Sequence, residues 1–245
     1  MIRPDWPGVD GVRVLATTRA GGVSQGGWAS FNLGLHCGDD ERAVAENQRR
    51  LGVLLPAPPR WLRQVHGITV VGPEQWRPGI EADAAWTDRA GQVLAILTAD
   101  CLPILLASMD GRTVAAVHAG WRGLAGGILG ETVAALPVVP SELRAWIGPG
   151  IGQAAYEVDD AVVAALQKAV PGAKSCFRAS RAGHCLADLK GLASRALNQA
   201  GVTDVTDARL CTASDSERFY SHRRDHGRTG RQATLIWFDP DAAPG

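Results

Sequence analysis

Apolar residues in this chain follow two rhythms. From Gln92 to Ser108, QVLAILTADCLPILLAS is apolar at nearly every position, and TVAAVHAGW (Thr113 to Trp121) repeats the pattern after the turn signal MDGR. Unbroken apolar runs bounded by Gly and Asp predict buried strands. Their closeness predicts a hairpin, or two neighbours in one sheet. GVRVLATTR (Gly11 to Arg19) also reads as a strand, and RWLRQVHGITVVG (Arg60 to Gly72) as strand-like on both sides of His66. LRAWIGPGIG is a short strand entering a Pro/Gly turn, and VTDVTDARLCT and QATLIWF are late strands.

The second rhythm is helical. DERAVAENQRRLGVL has apolar spacing for a helix, with Asp39 or Asp40 as its N-cap. GLAGGILGETVAALP (Gly123 to Pro137) predicts a weakly packed, glycine-rich helix stopped by Pro137. VDDAVVAALQKAVPG and LADLKGLASRALNQAG predict amphipathic helices that end at Pro or Gly. The alternation, without repeat or linker, predicts an α/β (α+β) fold in one domain over residues 1–245.

Composition works mainly by exclusion. Lys+Arg and Asp+Glu are both 25, a formal net charge of +0, so no bulk field draws the protein to nucleic acid or to an anionic membrane. The first residues lack a basic stretch followed by an apolar one, and no run approaches the roughly 20 apolar residues of a membrane helix. These features predict a soluble, cytoplasmic protein. Five cysteines at irregular spacing, with no C-x-x-C pair, do not predict disulfides.

Three residues stand out: His66 in QVHG, Cys101 in TADCLP and His118 in VHAGW, each after an apolar β run. One Cys and two His suit a Zn²⁺ site with a fourth position open to water or substrate. Spacing alone leaves two readings open, one shared site or three unrelated residues, because the ligands are far apart in sequence. Asp100, beside Cys101, points to the opposite face if its strand stays regular. A role at the site needs a bend, which Pro103 could supply. In HAGWRGLAGG a strand ends at His118 and a helix begins near Gly123; its start would favour an anion, with Arg122 adding a bidentate contact. The alternative is a surface arginine beside a packed Trp121. RFYSHRRDHGRTGR is a dense basic loop, readable as a phosphate-binding rim or as a solvated loop partly neutralised by Asp225.

At these residues a resemblance enters. TTRAGGVSQGGWASFNLGLHCGDD, WLRQVHG, TADCLPILL, AAVHAGWRGL, IGPGIGQAAYEV and FYSHRRDHGRTGR occur in order along essentially the whole chain. Together they resemble the polyphenol oxidase/laccase-domain family, also described as purine nucleoside phosphorylases and as peptidoglycan editing factors. His222 departs from the pattern, standing where an aromatic is usual. The resemblance implies a single domain of mixed sheets flanked by helices, in layers. It implies that His66, Cys101 and His118 are metal ligands and active-site residues, with Zn²⁺ as cofactor and Cu²⁺ as the second choice. It implies phosphorolysis of adenosine, inosine, guanosine and methylthioadenosine, with adenosine deamination as a further activity. Purine nucleosides and phosphate are then the partners, and Arg19, Ser24, Asn32, His36 and Arg122 are candidates for ribose or phosphate contacts. Two other readings are a hydrolase of peptidoglycan precursors with Cys101 as nucleophile and a copper polyphenol oxidase. Six histidines without an H-x-H pair are a poor supply for a multicopper oxidase.

Overall fold

A computed structural model describes residues 1–2 and 9–239, so the ends of the expected 1–245 domain, 3–8 and 240–245, lie outside the described residues. In chain order the strands are β1 (Val12–Ala16), β2 (Val70–Val71), β3 (Ala84–Thr87), β4 (Leu94–Thr98), β5 (Leu102–Ser108), β6 (Val114–Ala119), β7 (Leu143–Ile147), β8 (Glu157–Asp159), β9 (Phe177–Ala179), β10 (His184–Ala187), β11 (Asp204–Asp207) and β12 (Gln232–Phe238). The helices are α1 (Glu41–Gly52), α2 (Trp121–Gly126), α3 (Ile128–Ala135), α4 (Asp160–Ala169) and α5 (Leu189–Gln199).

Three sheets result. A six-stranded sheet runs β11-β7-β5-β6-β3-β2, and three-stranded sheets run β1-β12-β4 and β8-β10-β9. The large sheet is mixed: β11–β7 and β2–β3 are parallel and its other pairs antiparallel. The fold is single-domain α+β with mixed sheets and helices, as the sequence predicts.

The core explains why β5 is apolar along almost its whole length. Ile104 and Leu106 face Leu124, Ile128 and Leu192 from α2, α3 and α5. Leu105 and Ala107, on the opposite face, meet Leu94, Ile96 and Ile236 of the β1-β12-β4 sheet. That sheet turns its outer face, with Ala95 and Leu235, to Leu51 of α1. The layers are therefore helices, large sheet, small sheet, helix. Each Leu or Ile buried this way contributes about 1.5–3 kcal/mol, so the middle strands are anchored from both sides.

The helices with side-chain caps match expectation. Asp40, Asp159 and Asp188 accept backbone N–H bonds at the starts of α1, α4 and α5. Four expectations need correction. QVLAILTADCLPILLAS is two strands in two sheets, β4 and β5, broken at 99–101 where Asp100 has φ 94°. The hairpin is made by β5 and β6 alone, with Leu102 opposite Ala119. RWLRQVHGITVVG contributes only β2, plus single bridges from Arg60 and Arg63, because Asp83 takes the N–H groups around His66. The Gly123–Pro137 segment is two helices divided at Gly127, whose φ of 90° no helix accommodates, and the first begins at Trp121 rather than near Gly123. Strands β3, β8, β9 and β10 are short and their apolar pattern is weak, so periodicity missed them. No helix among the described residues is long and apolar enough to cross a membrane.

Candidate metal centre and its cleft

The site is built where β4 stops and β5 starts. Asp100 sits there in the left-handed region, uncommon for a residue with a side chain. Its buried carboxylate accepts from Thr212 Oγ1 at 2.6 Å, Ser221 Oγ at 3.0 Å and Arg223 N at 2.7 Å. These bonds hold the break, and Cys101 follows directly. The bend needed for Asp100 to serve the site is thus at Asp100 itself; Pro103 lies within β5, opposite His118.

His118 lies near the end of β6 and is buried. Its Nδ1 stands 2.8 Å from Asp83 Oδ1. The carboxylate of Asp83 has no solvent exposure and also accepts the backbone N–H groups of Val65 at 3.2 Å, His66 at 2.9 Å and Gly67 at 2.7 Å. One carboxylate therefore orients the His118 ring and pins the turn that carries His66. That turn has φ 59° at His66. The two imidazoles meet edge to face, with centroids 4.8 Å apart.

The ligand atoms of His66, Cys101 and His118 all lie within 4.8 Å of one another. His66 Nε2 is 3.8 Å from Cys101 Sγ. Gly120 makes this closeness possible: a Cβ there would stand 2.9 Å from Cys101 Sγ and 3.2 Å from His66 Cδ2. Burial pushes the Cys101 thiol up, but the hydrogen bonds and charges of His118 and His66 outweigh it and bring it to about 6. Burial pulls His118 down, while its bonds to Asp83 and Cys101 raise it to about 9. A thiolate facing imidazoles is a donor set for a soft or borderline divalent ion. With Nδ1 of His118 engaged by Asp83, its Nε2 is free to coordinate, the arrangement by which carboxylates orient histidine ligands. Ligands about 2.0–2.3 Å from one ion stand roughly 3.3–3.8 Å apart in a tetrahedron, and the Cys101–His66 separation already suits that. The three residues fit a metal.

They form part of the wall of a cleft of about 530 Å³. His36 and Arg122 line it too, whereas Arg19, Ser24 and Asn32 do not. Arg19 donates to the Ala29 and Ser216 carbonyls and stacks on Tyr220. Ser24 accepts from Asn47, and Asn32 bridges Gly34, Asp39 and the Arg231 N–H. A glycine-rich loop carries many backbone polar groups without ladder partners, and Arg19, Asn32 and the Asn47 amide that Ser24 helps hold satisfy several of them. The basic loop divides. His222, Arg223 and Arg231 line the cleft, while Arg224 pairs with Asp225 and Arg228 lies over Trp28. Sequence reasoning missed Asp83, and also Tyr156 and Gln64, which line the cleft. For Asp83 the available signal was an acid embedded in EADAAW among small apolar residues, where a solvated carboxylate is out of place.

Residues 13–239 match the family described as multi-copper polyphenol oxidoreductase laccase. A purine nucleoside phosphorylase of Pseudomonas aeruginosa is 49% identical over 237 residues, 96% of this chain and 97% of that protein. A purine nucleoside phosphorylase of Xylella fastidiosa is 48% identical over 248 residues, covering 95% of each. The crystal structure of a Neisseria meningitidis protein superposes with a TM-score of 0.92 at 44% identity, over 97% of this chain and 98% of that one.

Proposed function

The chain belongs to the multi-copper polyphenol oxidoreductase laccase family, and from that premise we propose that it is a zinc-dependent purine nucleoside phosphorylase. Its substrates in this reading are adenosine, inosine, guanosine and methylthioadenosine, with adenosine deamination as a second activity. The observation that carries the reading is the convergence of His66, Cys101 and His118 on one cleft, in a chain whose relatives bear the phosphorylase name across nearly their full length. Among the described residues this is the one group of three or more His, Cys, Asp or Glu side chains placed to hold a metal. That favours a single-ion enzyme over a multicopper oxidase.

His66, Cys101 and His118 would hold the zinc ion, which would supply Lewis-acid chemistry there. The remaining work is done by the chain. Asp83 keeps both histidines in place, and the clasp on Asp100 keeps Cys101 forward. Leu62, Leu97 and Trp121 give the cleft apolar surface suited to a purine ring, with polar groups spaced between, as ligand pockets commonly are. The test is direct. Purine release from inosine should rise with phosphate and yield ribose-1-phosphate; free ribose without phosphate dependence would reject the phosphorylase.

One observation favours a second reading. Cys101, His118 and Asp83 are also a thiol, an imidazole and an orienting carboxylate, the parts of a nucleophilic triad. A hydrolase of peptidoglycan precursors would use Cys101 as nucleophile. Full hydrolytic activity after chelation would support it, and loss of activity with metal supports the phosphorylase.

A further inference from the structure

The chain as a whole is neutral, with 25 basic and 25 acidic side chains, but the cleft is not. Arg63, Arg122, Arg223 and Arg231 line it against one carboxylate, Asp100. Both Asp100 oxygens are already taken by Thr212, Ser221 and the Arg223 N–H. Two of the arginines are committed elsewhere: Arg63 pairs with Glu81 at 2.8 Å, and Arg231 donates to the carbonyls of Thr229 and Gly230.

Arg122 and Arg223 are different. Arg122 lies over the Trp121 ring at 4.5 Å, and among the described residues no carbonyl or carboxylate accepts from its guanidinium. Arg223 lies over the Tyr156 ring at 5.2 Å and donates Nη1 to the Glu157 carbonyl at 2.9 Å. Its backbone N–H is fastened to Asp100 at 2.7 Å. The side chain is therefore held in place with its other nitrogens uncommitted. Tyr156 lines the same cleft, and its hydroxyl bonds to no described residue. Burial, followed by the nearby Cys101 charge, pushes that hydroxyl up to about 12, against the pull of Arg223 and Arg122. It is a proton donor at neutral pH, and both guanidinium charges are felt there. Two stacked guanidinium groups are hydrogen-bond donors only, the neutral phenol adds an O–H donor, and planar guanidinium forks match the oxygens of a tetrahedral anion.

We propose that Arg122, Arg223 and the Tyr156 hydroxyl form a subsite for the phosphate dianion on the wall of the cleft that holds the His66–Cys101–His118 cluster. The proposal rests on the phosphorolysis reading above and names its anion site. From there an oxygen of hydrogen phosphate bonds to C1′ of the ribose as the glycosidic C–N bond breaks. The electron pair leaves with the purine nitrogen, and the proton carried by hydrogen phosphate ends on the purine. Tyr156 donates a hydrogen bond throughout and gives up no proton. Arg223 comes from the basic loop and Arg122 from the start of α2, so the subsite joins two segments about 100 residues apart in sequence (Arg122 and Arg223).

The test uses metal-loaded enzyme and reads two substrates separately. Arg122→Lys and Arg223→Lys keep the charge but lose the fork. Each should raise the phosphate KM by roughly 10- to 100-fold, the scale of a lost charge-assisted bond, with nucleoside KM within about twofold and metal content unchanged. Tyr156→Phe should raise the phosphate KM by roughly 3- to 10-fold, the scale of one neutral hydrogen bond. A double lysine variant with wild-type phosphate KM overturns the subsite while leaving phosphorolysis standing. Wild-type enzyme that yields no ribose-1-phosphate overturns the phosphorolysis reading, and titration calorimetry with inorganic phosphate then decides the subsite. Binding that is lost in the double variant upholds it; binding that is kept, or absent in wild type, overturns it. Calorimetry with adenosine 5′-monophosphate separates a free anion from a phosphomonoester: a site that takes only the nucleotide overturns the assignment to phosphate.

Discussion

The two sides of the candidate metal centre are built differently. Cys101 and His118 sit at the ends of β5 and β6, strands buried on both faces by helices on one side and a second sheet on the other. His66 sits on an exposed turn in the left-handed region, four residues before β2. Core packing places the first two. A single carboxylate, Asp83, places the third through three N–H bonds and reaches across to His118 as well. A rigid half and a tethered half meet at one point, and Asp83 is the joint. A metal centre made this way can be precise without burying every ligand, provided the tether itself is buried.

The two halves should respond differently to substitution. The largest effect should come from Cys101→Ala, which removes the only thiolate of the set. Metal content of protein purified without added metal should fall to near zero while the far-ultraviolet circular dichroism stays unchanged. Metal content equal to wild type would reject the cluster as the metal site.

Asp83→Ala attacks the joint. It leaves three N–H groups and the His118 ring without their acceptor. Removing such a partner commonly reduces metal affinity about 10- to 100-fold, and each stranded buried donor costs about 1–3 kcal/mol. Competition with a chromophoric chelator measures the first, and urea unfolding of metal-free protein the second. Asp83→Asn should fall between, because the amide oxygen can still accept. If Asp83→Ala keeps wild-type affinity, the tether is not what holds His66.

The two histidines sharpen the contrast further. In metal-free protein His118→Ala removes a buried side chain and the imidazole partner of the buried Asp83 carboxylate, so we expect destabilisation of about 2–4 kcal/mol. His66→Ala removes an exposed ring and should change stability by less than about 0.5 kcal/mol. Both should lose metal. Equal stability effects would mean that the halves are not built differently. The smallest effect should be Gly120→Ala, whose Cβ would press on Cys101 Sγ at 2.9 Å and on the His66 ring at 3.2 Å. With partial relaxation of the exposed His66 ring, metal affinity should drop about threefold to tenfold, roughly 0.7–1.4 kcal/mol, readable in the same chelator competition.

Local sequence carried much of this protein. An Asp cap and 3.6-residue spacing marked α1, and spacing with Pro or Gly ends marked α4 and α5; each of the three follows an Asp that bonds to backbone only two or three residues away. Period and turn chemistry marked β6 and β12, and the β5–β6 hairpin closes over the short MDGR turn. The residue types Cys, His and His, each after an apolar run, marked the candidate ligands. The rest was decided by tertiary structure, because the bonds that decide it span long stretches of chain. Asp83 reaches His66 across 17 residues and His118 across 35. Asp100 reaches Thr212, Ser221 and Arg223 across 112, 121 and 123. No periodicity carries such separations. An apolar run reads the same whether it forms one strand or, as here, two in different sheets; the break appears only when a distant loop supplies donors to the carboxylate in its middle. Arg19, Ser24 and Asn32 show the same limit in reverse. Their polar groups look free in the sequence, and only the folded structure shows that backbone groups take Arg19 and Asn32 and that the Asn47 amide takes Ser24.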